Sequence, residues 1–220
     1  MGRQPVGVEV PGRPWGVLGG TFDPIHDAHL AIAEQTWETL DLAGVLFVPA
    51  GMPPHKSDQI VTQANHRVAM VELAIAGNPH FRLGRFEVDR PGPSYAVETM
   101  QVLNHQARTE HREEPVFIMS VDALRELNTW HDPRRLLDMC RVAVVPRRGY
   151  HALGRAWLSE QFPSQERRFQ FLDGPDLGHS ASDIRRRVAA GKSIRYLVPP
   201  PVAAYIAEHG LYPAGLWTKN

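Results

Sequence analysis

The sequence predicts an α/β domain on an open, mainly parallel, doubly wound sheet, with helices on both faces and a small C-terminal helical extension. Three observations predict it. Apolar runs of strand length recur along the chain with helix-length stretches between them, which is how a parallel sheet reads. The first strand, helix and second strand follow at the spacing of a βαβ unit, whose crossover is right-handed. The 220 residues suffice for one well-filled core and contain no internal repeat or low-complexity tract.

The elements follow in order. Residues 1–14, punctuated by Gly2, Pro5, Gly7, Pro11, Gly12 and Pro14, read as a loosely ordered leader. Trp15–Leu18 is the first buried strand, His26 to Leu40 the first helix, and Gly44–Pro49 a second strand ended by proline. The loop from Ala50 to Thr62 carries Pro53-Pro54-His55-Lys56, whose prolines stiffen it beneath a cationic tip. Ala64–Ala76 is an amphipathic helix, with Arg67 and Glu72 among its polar residues, and Asn78-Pro79 closes it. Phe81–Leu83 and Arg85–Val88 read as extended, and Ser94 as the cap of a helix reaching about Gln106. Pro115–Met119 is a strand, Leu136-Leu137 belongs to a short helix, and Arg141–Val145 is the next strand. A helix over Leu153–Phe162 and a last strand over Phe169–Leu172 precede a helix beginning near Asp183, capped by Ser180 or Ser182. The domain is bounded at 15–212, its helical part starting near 180, and 213–220 is a tail.

Composition narrows the function classes. Formal net charge is zero, so no bulk electrostatic attraction to nucleic acid or to a membrane surface is expected. Cys140, the only cysteine, allows no internal disulfide and reads as a small core residue. No signal peptide and no bilayer-length apolar run is visible, so the expected location is cytoplasmic. The sequence does not specify an oligomeric state and is compatible with a homo-oligomer.

The stretch that carries chemistry is Gly19-Gly20-Thr21-Phe22-Asp23-Pro24-Ile25-His26-Asp27-Ala28-His29-Leu30, where a strand hands over to a helix. Such a place offers backbone N–H groups and the positive end of a helix dipole, both suited to phosphate. Gly19 and Gly20 let a ligand approach the backbone. His26 and His29, three apart, share one face of the first helical turn and can donate to charge that grows during phosphoryl chemistry. On local grounds three other readings stand: a plain turn, a capping or solvated histidine, or zinc ligation by His26, His29 and Asp23. A second anion cradle is legible at Ser180-Ala181-Ser182-Asp183-Ile184-Arg185, where serine hydroxyls, helix N–H groups and Arg185 coincide. Asp122, after the strand ending at Met119, either caps the next helix or accepts ribose hydroxyls. Tyr95 is core or pocket wall; Trp130 is a packing anchor or a stacking surface; Arg147 and Lys56 are solvated or reach a phosphate.

Gly-Gly-Thr-Phe-Asp-Pro-Ile-His-x-x-His-Leu resembles the N-terminal signature of the bacterial nicotinate-mononucleotide adenylyltransferases, in the nucleotidylyltransferase superfamily. Pro-Pro-His-Lys after the second strand, Asp-Arg-Pro-Gly before Ser94-Tyr95, Trp130 and the Ser-Ala-Ser-x-Ile-Arg segment are similar to the family in order, so the resemblance runs from about Trp15 to Tyr212. It implies a Rossmann-like fold that joins ATP, accompanied by Mg²⁺, to nicotinate mononucleotide with release of pyrophosphate. It implies further that His26, His29 and Arg185 serve the reacting phosphates. ATP is expected to be held by Gly19, Gly20, Thr21, Phe22, Asp122, Ser180, Ser182, Ile184 and Lys56. The mononucleotide is expected to be held by Asp23, His55, Tyr95, Trp130 and Arg147, with no protein-held metal.

Four positions depart from the pattern: Ala28 for the glycine between the histidines, Ala181 for a serine, Ser120 for a glycine, and Ala96 for the threonine after Ser-Tyr. The first three concern ATP and the last concerns acid against amide acceptor. Nicotinamide mononucleotide or another phosphate ester therefore stands as the alternative acceptor. A zinc hydrolase and a non-catalytic nucleotide-binding protein stand as remoter readings.

Overall fold

The structure, a computed structural model, describes residues 12–53, 60–146, 153–174, 178 and 180–217. Six strands, β1 (Trp15–Gly20), β2 (Gly44–Pro49), β3 (Phe81–Leu83), β4 (Val116–Ser120), β5 (Arg141–Val145) and β6 (Phe169–Phe171), form one sheet in the order β3-β2-β1-β4-β5-β6. Every neighbouring pair is parallel. Eight α-helices are described: α1 (Asp27–Thr39), α2 (Ala64–Ile75), α3 (Ala96–Thr109), α4 (Val121–Glu126), α5 (Pro133–Met139), α6 (Arg155–Gln161), α7 (Ala181–Ala189) and α8 (Pro200–Glu208).

The period-two alternation of strand side chains splits the core into two layers. Leu18, Ile118, Ala143 and Val145 join Ala33 of α1, Met70 and Val71 of α2, Ile184 of α7 and Val202 of α8 on one face. Val17, Phe117, Met119, Val142 and Val144 join Met100 of α3, Leu124 of α4, Leu136 of α5 and Leu158 of α6 on the other. Both faces are covered, which is why the strands read as unbroken apolar runs.

The strand order places the site. β1 and β4 lie side by side, but the chain leaves β1 toward β2 on one side and leaves β4 toward β5 on the other. Their C-terminal loops part, and a crevice opens at that edge of the sheet.

Several expectations need correction. β1 continues through Gly19 and Gly20, which pair with Val48 and Pro49, so the turn begins at Thr21. Arg85–Val88 is not extended: the Gly84 N–H donates to the Phe47 carbonyl, and an Arg85–Asp89 ion pair at 2.7 Å closes a turn. Tyr95, not Ser94, is the N-cap residue of α3, because the Ser94 hydroxyl is engaged by the loop after β2. Ser180 is the cap of α7, its Oγ accepting from the Asp183 N–H at 3.1 Å. At the two ends, the Pro14 carbonyl accepts from Ala43 N–H, and Trp217 packs on Tyr212 with centroids 5.6 Å apart, so parts of the expected leader and tail belong to the packed body. Residues 1–11 of the leader lie outside the described residues.

Candidate active site

The crevice holds a cavity of about 430 Å³. Gly19, Gly20 and Thr21 line it from the end of β1, His26, Ala28 and His29 from the start of α1, and Ser120 and Asp122 from the end of β4. Ser94, Tyr95 and Ala96, at the start of α3, and Trp130 close the other side. Residues far apart in sequence meet there because the sheet brings the C-terminal ends of its strands to one edge.

The two histidines are set by the helix start itself. His26 is the N-cap of α1, with extended backbone, and Asp27 in the first turn favours the helix dipole. The His26 N–H donates to Nδ1 of His29 at 3.2 Å. An accepting Nδ1 leaves the proton of the neutral ring on Nε2, so that nitrogen is the ring's donor. The rings stack with centroids 3.7 Å apart and planes 21° from parallel, and the Phe22 ring meets His29 edge-on at 5.1 Å. Phe22 holds a left-handed backbone, φ +49°, and its buried ring helps offset the strain of order 1 kcal/mol that such a conformation costs a non-glycine residue.

Asp23 is not in the cavity. It is 3% exposed, and its carboxylate is held by internal donors: Tyr212 Oη donates to Oδ1 at 2.8 Å and Thr62 N–H to Oδ2 at 3.0 Å. Burial, then the Asp23 charge, pushes the Tyr212 phenol well above its ordinary range, which keeps it a donor. The zinc reading fits this geometry poorly, because two stacked rings do not aim their lone pairs at one point and the carboxylate is turned away. Among the described residues no group of three His, Cys, Asp or Glu side chains gathers as a metal site.

The second cradle lies beside the cavity rather than in its lining. Arg185 Nη1 donates to the Asp23 carbonyl at 2.6 Å, three residues before His26, and Nη2 to Ser182 Oγ at 3.1 Å. Its guanidinium lies 4.5 Å over the Trp217 ring. Burial lowers the Arg185 pKa and the Asp23 charge opposes this, so the group stays cationic. Ile184 and Phe22 are core residues and act through packing. His55, Lys56 and Arg147 lie outside the described residues.

On the far side of the cavity the Trp130 ring stands edge-on to Phe117 with centroids 6.0 Å apart, and Tyr95 stacks on His131 at 4.3 Å. Glu87, 8% exposed, also lines the cavity; Thr99 Oγ1 donates to its Oε1 at 2.9 Å, and burial raises its pKa. Ala28 and Ala96, two of the departures from the family pattern, both face the cavity.

Sequence reasoning missed four residues. Arg67, read as part of a polar face, is 1% exposed and donates from each of its three guanidinium nitrogens. Glu87 and Tyr212 are buried, and Trp217 lies beyond the expected end of the domain. The one signal available was Arg67's place one turn before Val71 on the apolar side of α2, since a charged residue there needs partners.

The chain can now be set beside known proteins. The family described as Cytidylyltransferase-like matches residues 17–187. A protein of Thermomicrobium roseum named "Probable nicotinate-nucleotide adenylyltransferase" is 45% identical over 198 residues, 90% of each chain. One of the same name from a Roseiflexus species is 45% identical over 199 residues, 90% of this chain and 98% of that one. The solved structure of Plasmodium falciparum nicotinic acid mononucleotide adenylyltransferase complexed with APC shares the fold with a TM-score of 0.73 at 17% identity, over 91% of this chain and 97% of that one. The parallel sheet, its crevice, the paired histidines and near-complete alignment with these relatives agree: the chain belongs to the cytidylyltransferase-like family and, within it, to the nicotinate-nucleotide adenylyltransferases.

Proposed function

We propose that the protein transfers the adenylyl group of ATP to nicotinate mononucleotide, forming the dinucleotide and releasing pyrophosphate, a step of NAD biosynthesis. The observation that carries this reading is the stacked imidazole pair in the lining of the crevice between β1 and β4. A mononucleotide phosphate oxygen attacks the α-phosphorus in line, a new P–O bond forms, and the bond to the bridging oxygen of pyrophosphate breaks. The nucleophile is already an anion, so no strong general base is required, and catalysis rests on positioning and charge stabilisation.

In this reading Nε2–H of His29, with His26 beside it, donates to the α- and β-phosphate oxygens as negative charge shifts toward the leaving group. Arg185, with Ser180 and Ser182 at the start of α7, holds the departing pyrophosphate, and Lys56 assists. Gly19, Gly20 and Thr21 bring backbone close to the triphosphate, and Asp122 accepts ribose hydroxyls. Trp130 and Tyr95 flank the pyridine ring, and His55 and Arg147 are assigned to the mononucleotide. Asp23 contributes by anchoring the turn rather than by touching substrate. Mg²⁺ enters as part of the substrate, on the oxygens of ATP, which suits a cation that prefers phosphate oxygens and water.

The test is pyrophosphate release from MgATP against a panel of mononucleotides. Turnover with the nicotinate compound well above that with the amide supports the assignment. Preference for the amide corrects the acceptor. Release with none of the panel refutes the reading.

A further inference from the structure

We infer that Arg67 is a positioning residue that sets the spacing between the two halves of the site by holding both on one buried guanidinium. The inference rests on the proposed adenylyl transfer. Arg67 projects from α2 and reaches three loop carbonyls: Nη1 donates to Thr21 at 2.8 Å, Nη2 to Gly51 at 3.0 Å and Nε to Thr62 at 2.8 Å. Thr21 belongs to the turn assigned to ATP. Gly51 belongs to the loop after β2 and is hydrogen-bonded to Ser94, the residue before Tyr95, which is assigned to the mononucleotide.

The second link is as firm. The Gly51 and Met52 N–H groups donate to Ser94 Oγ at 2.9 and 3.2 Å, and the Ser94 N–H donates to the Met52 carbonyl at 2.9 Å. A Cβ on Gly51 would stand 2.2 Å from the Glu87 carbonyl oxygen, so the two segments touch backbone to backbone. Ser94 is followed directly by Tyr95 and Ala96 in the cavity wall. A continuous path of hydrogen bonds therefore runs from Thr21, through the side chains of Arg67 and Ser94, to the residue joined directly to Tyr95. Asp23 balances the buried charge and holds the same strand of chain from the other side, since its Oδ2 accepts from the Thr62 N–H.

A planar guanidinium spreads its donors over three nitrogens and so serves three separated carbonyls, whereas the three donors of lysine radiate from one nitrogen and cannot span the same positions. Such a clamp matters to a two-substrate displacement, where the attacking oxygen and the phosphorus must be held in line. Misplacement of about 1 Å costs on the order of a hundredfold in rate while each substrate alone still finds its own half-site.

The experiment compares wild type, R67K, S94A and the double variant in turnover per folded molecule, calorimetric affinity for a non-hydrolysable ATP analogue alone and for the mononucleotide alone, and thermal midpoint. R67K is expected to lose roughly 30- to 100-fold in kcat, with each single-substrate Kd within about threefold of wild type. S94A cuts the same path without altering the guanidinium, at a hydroxyl that also bonds the buried Glu87, and is expected to lose about fivefold in kcat; the double variant should be no slower than R67K. An R67K variant with kcat within about threefold of wild type overturns the inference, as does loss of both affinities in parallel with kcat. If R67K does not fold, S94A decides alone: unchanged kcat overturns the inference. Failure of the functional reading looks different, since wild type would then release no pyrophosphate at all.

Discussion

The two tasks assigned to His29, holding the start of α1 and donating to substrate, use different ring nitrogens and can be separated. Nδ1 accepts from the His26 N–H at 3.2 Å, while Nε2 is the donor. Asparagine places an amide oxygen near the position of Nδ1 and nothing at Nε2, so H29N keeps the first task and loses the second; H29A loses both. The helix-start bond is worth about 1 kcal/mol, equivalent to about 2–4 °C in thermal midpoint for a chain of this size. Loss of a donor to developing phosphate charge costs on the order of 100- to 1,000-fold in kcat. H29N is therefore expected to melt within about 1 °C of wild type, and H29A about 2–4 °C lower. Both should lose about a hundredfold or more in turnover. The assays are calorimetric melting and initial-rate pyrophosphate release at saturating substrates. An H29N enzyme as unstable as H29A, or one keeping more than about a third of wild-type kcat, refutes the division of labour.

Other expectations follow from burial and contacts. Burial raises the Glu87 pKa from its ordinary value of 4.5, so the folded chain holds that proton more tightly than the unfolded chain. Stability from this group is complete below the unfolded value and is lost as pH rises through the folded one. E87Q should flatten that decline, read as urea midpoints from about pH 4 to about pH 8, and parallel curves for the two proteins would reject it. Cys140 is fully buried and its thiol is pushed up to about 12, chiefly by burial, so the native protein should not react with a thiol reagent near about pH 8, whereas the unfolded chain should react stoichiometrically. The Trp217 ring under Arg185 contributes a cation–π contact of about 0.5–1 kcal/mol. W217A should raise the KM for ATP by about two- to fivefold and leave that for the mononucleotide unchanged; equal shifts in both would show that the ring does not act through Arg185.

Much of this was legible before any coordinates. The strands announced themselves as apolar runs because helices cover both faces of the sheet. The paired histidines and the serine-capped α7 could be read because local chemistry, a helix start with its N–H groups, determines both. What stayed hidden was long-range and polar. Asp23 occupies a family motif position that reads as a ligand contact, yet its partners, Thr62 and Tyr212, lie 39 and 189 residues away. Arg67 reads as a solvated helix residue because its place among apolar positions of α2 says that it needs partners but not that two distant loops will supply them. Ser94 illustrates the same limit: its type suits a helix cap, but the loop after β2 competes for its hydroxyl and prevails. The extended reading of Arg85–Val88 failed because propensity described the side chains, while a local ion pair and the buried Glu87 determined the path.

The shared mooring of Gly51 and Thr62 has a practical meaning for engineering. One guanidinium fastens the chain at both Gly51 and Thr62, so the two anchor points depend on a single side chain. Any library built on this scaffold should therefore leave position 67 unvaried, because a change there would loosen two separate points of the chain at once.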